Sequence, residues 1–246
     1  MGNISRQEKK RIASLAVKKY RDRERLFVVE GEKSVQEFLV SPFKIRKIYY
    51  TRECDFSGRH PDTAEITADE MRQISNLKTA SPVLAVVEIP SAETLPRNGL
   101  ILALDDVQDP GNLGTIIRLA DWFGIDSIVC SLCTADAYGP KTVQATMGSL
   151  TRVNIVYADL YLFLKPACEE IPVYGTFLEG ENIYRAELSD NGIIVMGNEG
   201  KGISHRIAGL VSRKLLIPAF GHDNAESLNV AVAAAVTCSE FRRRNY

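Results

Sequence analysis

Hydrophobic residues recur along this chain in two textures, short continuous runs and helically spaced stripes. In the first ninety residues the runs are Leu26–Val29, Ile45–Tyr50 and Val83–Ile89, short segments that predict strands. Between them, Ile12, Leu15, Ala16 and Lys19 predict one short helix. Ser34–Leu39 predicts a second and, after Thr63–Thr67, Asp69–Leu77 a third. This alternation describes a small α/β unit. Pro90–Gly99 is a proline-bounded polar stretch and the expected linker. From Leu100 the pattern restarts, with strands expected at Leu100–Leu104, Ser127–Ser131, Val153–Val156, Pro172–Phe177, Ile193–Met196 and Leu215–Ile217. Helical segments separate them, and a last helix is expected from about Ser227 to Arg242. Continuously apolar strands with helical crossovers predict a parallel sheet covered on both faces. The expected domains are therefore residues 1–92 and 99–246, both α/β.

Composition adds limits. A chain of 246 residues, 45% hydrophobic and 25% charged, has the mass for two ordinary cores. Its longest apolar runs, such as Val230–Val236, fall far short of the ~18–20 residues that a bilayer span needs. The basic, polar start lacks the apolar core of a secretory signal, so a cytoplasmic protein without membrane contact is expected. Five scattered cysteines argue against a disulfide framework. Cys130 and Cys133 form a C-x-x-C without a second ligand pair, so no metal site is expected. A redox dithiol and simple packing both remain open there.

Net charge is −1, yet residues 1–25 carry nine Lys and Arg against three acids. Arg242, Arg243 and Arg244 form a second basic cluster. Such clusters suit a polyanion partner, or else a solvated helix face.

Three segments carry candidate chemistry. In Leu104–Gly124 a strand runs through Asp-Pro-Gly-Asn into a helix whose apolar face is Leu113, Ile116, Ile117, Ala120 and Phe123. Arg118 lies on the other side, below Gly111, Gly114 and Thr115. It reads either as a phosphate clamp beside free helix N–H groups or as a surface residue. In Ile193–Ser204 three glycines follow a strand, with neither P-loop nor dinucleotide-loop spacing. Glu199 there is a helix-start carboxylate or a site residue. In Leu216–Val236, Ser227 is the expected N-cap of an alanine-rich helix. Asn229 needs hydrogen-bond partners if it is buried.

Together and in this order, Asn112-x-Gly114-x-x-x-Arg118, the Gly-Asn-Glu-Gly-x-Gly loop at 197–202, and Ile217-Pro218 with Ser227-Leu-Asn229 resemble the SpoU (TrmH-type) branch of the SPOUT RNA methyltransferases. Tyr138–Gly148 is similar to the family's intervening segment, with Thr146 where serine is common. The lysine-rich start and Phe27–Lys33 are similar to its accessory domain, which has a ribosomal-protein-like fold. The resemblance implies a parallel-sheet SPOUT domain with a C-terminal trefoil knot, and a homodimer formed through it. It also implies methylation of a ribose 2′-OH by S-adenosylmethionine, with rRNA favoured over tRNA. The alternative is an inactive RNA-binding or assembly protein of the same fold. By the same analogy Thr176, Gly197, Ile217 and Leu228 bind the cofactor.

A guanidinium ordinarily stays protonated, so the expected role of Arg118 is to hold an RNA phosphate and stabilise the developing alkoxide. Asn112 and Asn229 would align the ribose and the Arg118 region, while Ser227 and Glu199 position loops or RNA. Lys9, Lys10, Lys18 and Lys19 would capture phosphates.

Overall fold

A computed structural model describes residues 4–91, 94–221 and 227–243. Arg244 and residues 222–226, which the third motif spans, lie outside the described residues. The chain divides into two compact units, Met1–Ser91 with Asp136–Thr151, and Ala92–Ala135 with Arg152–Tyr246. The continuous blocks 1–92 and 99–246 differ from this division in the segment 136–151.

The first unit contains α1 (Arg6–Ser14), α2 (Lys18–Glu24), β1 (Leu26–Glu30), α3 (Glu32–Leu39), β2 (Ile45–Tyr50), β3 (Thr63–Glu65), α4 (Ala68–Ile74) and β4 (Val83–Glu88). Its sheet runs β1-β4-β2-β3, with β4 antiparallel to both neighbours and β3 parallel to β2. Ile12, Leu15, Tyr49, Met71, Ile74 and Leu84 belong to one buried core, holding helices to the sheet. A capping box between Thr67 and Glu70 starts α4.

One helix was expected near residues 12–19; the structure has two, broken at Leu15–Val17, where Val17 is extended. The physical reason is Arg21, only 4% exposed, which turns inward and donates to the Leu15 carbonyl at 2.6 Å. That bond satisfies an acceptor the helix end leaves open. The same guanidinium bonds Asp136 at 2.6 Å, and Tyr138 packs its ring 5.0 Å from Phe27. These contacts draw 136–151 into the first unit.

The second unit opens with β5 (Leu100–Leu104), α5 (Pro110–Trp122) and β6 (Ser127–Ser131). After α6 (Pro140–Thr146), a helix of the first unit, come β7 (Asn154–Ala158), α7 (Leu160–Ala167), β8 (Val173–Asn182), β9 (Gly192–Met196), α8 (His205–Ala208), β10 (Arg213–Leu216) and α9 (Val230–Arg243). The six strands run β10-β8-β9-β5-β6-β7, every pair parallel. Both central strands β5 and β9 are buried throughout, as a sheet covered on two faces requires. On one face α5 packs against α9.

The last helix begins at Val230, and Ser227 is not its cap. Asn229 is the residue before it, and its side-chain oxygen accepts from Ala231 N at 2.9 Å and Val232 N at 3.3 Å. No helix among the described residues is long and apolar enough to cross a membrane. Cys130 is buried, which pushes its thiol up, and Cys133 is exposed; both are free. Burial leaves Cys130 an inert packing residue.

Candidate active site

The site is built where β5 and β9 end side by side. Leu104 pairs with Met196, and Asp105 N continues the ladder to Met196 O at 2.9 Å. The buried Asp105 carboxylate accepts from Ser204 N at 2.7 Å, pinning the far end of the loop after β9. Asp106 adopts φ +63°, a left-handed turn that aspartate tolerates better than most residues. Its carbonyl accepts from Asn198 Nδ2 at 2.7 Å, and its N–H donates to Ser131 Oγ at 2.9 Å.

The loop itself folds back on its own start. Asn198 and Gly202 exchange two backbone hydrogen bonds, and Asn198 Oδ1 accepts from Gly200 N and Lys201 N. Gly197 is obligatory here, because a Cβ on it would lie 2.2 Å from the Gly202 carbonyl carbon. The close approach that Gly197 permits is that of the chain to itself.

This fold-back carries Glu199 to the start of α5. Its carboxylate accepts from Asn112 Nδ2 at 3.0 Å, Asp109 N at 3.3 Å and Gln108 N at 3.4 Å. Asn112 Oδ1 in turn accepts from Asn229 Nδ2 at 3.0 Å. The polarity of the chain is fixed throughout. A carboxylate only accepts, so Asn112 presents its NH2 to Glu199 and its oxygen to Asn229, whose own oxygen caps α9. Displacement of water by neighbouring groups would by itself raise the Glu199 carboxyl. The bonds from Asn112 and from the backbone outweigh it and hold its pKa below the ordinary glutamate range.

The structure thus brings Asn112, Glu199 and Asn229 into one network. Arg118 stands on the exposed side of α5 and makes no hydrogen bond or ion pair among the described residues. Few N–H groups at the start of α5 remain for a phosphate: Pro110 has none, and that of Gly111 is without a bond among the described residues. The Asp109 side chain takes Asn112 N at 2.8 Å, and its carbonyl takes Leu113 N. Asp109, with Pro110 at N1, also places a carboxylate where an anion would sit. Ser227 is exposed near the network, with no bond among the described residues.

Three of the four cofactor candidates lie on or just past neighbouring strands. Thr176 on β8 donates to Met196 Sδ at 3.8 Å, Gly197 follows β9, and Ile217 follows β10. Leu228 is 50% exposed, one residue before Asn229. Among the described residues the backbone groups of Gly197, Ile217 and Leu228 carry no hydrogen bond, leaving open donors and acceptors past two strand ends and just before α9. That fits a ligand gripped mainly by main chain.

Of the four lysines, Lys9 is engaged with Glu70 at 3.1 Å, and Lys18 lies 3.9 Å from Asp22 and 3.8 Å from Asp136. Lys10 and Lys19 are exposed without a partner among the described residues. Sequence reasoning missed Asp105, Asp106 and Asp109. Only the Asp109-Pro110 cap signature was legible in advance.

Two family models match: the SpoU rRNA Methylase family over residues 99–239 and an MRM3-like substrate binding domain over residues 7–85. They define a two-part protein, a methylase half preceded by a substrate-binding half. The chain belongs to the SpoU rRNA Methylase family. It is 34% identical to 23S rRNA (guanosine(2553)-2′-O)-methyltransferase RlmP of Bacillus subtilis, over 93% of each chain. Among solved structures, a TrmH-family protein from Porphyromonas gingivalis is 40% identical with a TM-score of 0.91, covering 99% of this chain and 100% of that one. An AdoMet-bound rRNA methyltransferase from Sinorhizobium meliloti is 29% identical with a TM-score of 0.86, covering 100% and 98%.

Proposed function

We propose that this protein methylates a ribose 2′-OH of rRNA, with S-adenosylmethionine as donor. The observation that carries the reading is the Glu199–Asn112–Asn229 chain, which ties all three motifs into one polar site on the helix that carries Arg118, a guanidinium without a partner among the described residues. When bound, the donor supplies a methyl group on a sulfonium, a leaving group that needs no further activation. Gly197, Ile217 and Leu228 would hold it through main-chain groups, with Thr176 beside them.

The chain's own work is orientation and charge. Asn112 and Asn229 present fixed amide edges to the ribose. Glu199 keeps Asn112 from turning. Arg118 holds the adjoining phosphate and stabilises negative charge developing on the 2′-oxygen, while phosphate or water takes the proton. Ser227 positions the RNA at the same edge. Only RNA carries the 2′-OH, so the substrate is RNA.

Residues 1–92 act as the RNA-capture domain through Lys10 and Lys19, helped by Lys9 and Lys18. Residues 99–246 act as the methyltransferase domain, knotted at its C-terminal end. Two copies pair through that end. In support, helices α5 and α9 pack against each other and leave Trp122 and Val232 83% and 49% exposed. An rRNA substrate makes the cytoplasm the working compartment.

The test is transfer of labelled methyl from S-adenosylmethionine to purified rRNA and tRNA fractions. Label entering rRNA in preference to tRNA is expected. Label in neither, with correctly folded protein, overturns the reading.

A further inference from the structure

The first unit contains a cavity of about 460 Å³ that neither the methylase motifs nor the capture lysines use. That volume lies within the ~300–1,000 Å³ range of ligand sites. It opens over the sheet between α1, the end of α2 and strands β1, β2 and β4. Its floor is apolar: Ile12, Leu15, Leu26 and Val86, each at most 7% exposed. Its rim is charged, with Arg11, Arg25, Arg46 and Lys47 against Glu8, Glu24 and Glu88.

The rim charges are arranged rather than scattered. Lys47 meets Glu8 at 3.1 Å, Arg11 meets Glu24 at 3.0 Å, and Arg46 meets Glu88 at 2.5 Å. Glu8 also takes the hydroxyl of buried Tyr49. Burial alone would raise the Glu8 carboxyl, and the bonds from Tyr49 and Lys47 bring it below its ordinary value. Each rim carboxylate is thus matched by a cation. Arg25 is left over: it is held in the left-handed region at φ +54° and bonds the backbone carbonyls of Ile89 and Pro90. No carboxylate meets it among the described residues, so the rim carries one uncompensated positive charge. Arg11 and Arg46 remain 57% and 65% exposed, leaving their planar guanidiniums free to stack.

An apolar floor, flanked by guanidinium groups and edged by an excess cation, is complementary to an aromatic base that carries a phosphate. An aromatic base would lie on Ile12 and Val86 with Arg11 or Arg46 over its face, and its phosphate would meet Arg25. We infer that this cavity receives a single unstacked nucleotide of the RNA substrate, away from the nucleotide that is methylated. The inference rests on the RNA reading above and assigns the substrate-binding domain a pocket as well as a charged surface.

The test uses the full chain and a fluorescein-labelled, mixed-sequence, single-stranded decaribonucleotide followed by anisotropy. Two double variants remove equal charge from exposed positions of the same unit, Arg11→Ala/Arg46→Ala at the cavity and Arg52→Ala/Arg59→Ala away from it. The cavity pair is expected to weaken binding by about 10-fold, the scale of one lost base stack, and the distant pair by less than about 2-fold. Guanosine monophosphate should compete for the oligonucleotide, and inorganic phosphate at equal concentration should not. Equal losses in the two double variants, or equal competition by phosphate, would overturn the pocket in favour of diffuse electrostatics. Methyl transfer by the unaltered protein is measured alongside. Its absence would sink the catalytic reading, while the oligonucleotide comparison still decides the pocket.

Discussion

Replacing Glu199 with glutamine changes the site by one charge and almost no volume. The native carboxylate accepts three hydrogen bonds, from Asn112 Nδ2, Asp109 N and Gln108 N. A glutamine can keep its oxygen toward Asn112 and Asp109, but its NH2 then faces the Gln108 N–H, donor against donor. Charge-assisted bonds contribute about 1.5–3 kcal/mol and neutral ones about 0.5–1.5. Two of the three bonds are long and Glu199 is exposed, so the lower end applies, about 1 kcal/mol in all. That corresponds to roughly a 5-fold change in local opening, and to a similar slowing of methyl transfer if Asn112 must stay aligned.

Hydrogen exchange at the Gln108 and Asp109 amides reads the first effect and single-turnover transfer the second. The pH dependence has a definite sign. The folded Glu199 carboxyl titrates below an ordinary glutamate near 4.5, so its contribution is complete above that value. It is lost as pH falls through the folded pKa. The gap between native protein and Glu199→Gln should therefore close in acid. Equal protection of both amides at neutral pH, or a gap that widens in acid, would refute the argument.

Arg118→Lys keeps the charge and loses the fork, so turnover should fall by ~10²-fold with little change in cofactor affinity; near-native turnover would remove the phosphate-clamp role. Lys10→Gln/Lys19→Gln should lower the slope of log affinity against log salt by about 1–2 in RNA titrations. Lys9→Gln/Lys18→Gln, already ion-paired, should lower it less, and the reverse ranking would contradict the structure. Gly197→Ala forces a methyl against the Gly202 carbonyl carbon. It should abolish cofactor binding in calorimetry while the first unit's fold persists by circular dichroism, and native-like binding would show that the loop has another way to close.

What was legible in the sequence follows from what is local. The parallel sheet could be read because strands buried on both faces become continuous apolar runs, as Leu100–Leu104 and Ile193–Met196 show. The far half of β8 could not. Residues 178–182 are largely polar, and the register against β10 jumps from Lys214↔Gly175 to Leu215↔Glu181. The break between α1 and α2 was hidden for a related reason, since it depends on Arg21 turning toward Asp136, 115 positions away.

Ser227 and Asn229 are both good caps by residue type. Asn229 does the capping in the structure, while its NH2 meets Asn112, 117 positions earlier. Motif resemblance brought Asn112, Glu199 and Asn229 to attention. Asp105 and Asp106, which aim the loop carrying Glu199, have no local signature, because their partners Ser204 and Asn198 lie 99 and 92 positions on.

Ribose methylation stands on where the methyl group lands. RNA labelled by this protein can be hydrolysed in alkali, which cuts the chain only where a free 2′-OH can attack its neighbouring phosphate. The label is expected to survive in alkali-resistant dinucleotides and, after nuclease digestion, to run with a 2′-O-methylnucleoside. Label released entirely as mononucleotides methylated on the base would contradict it.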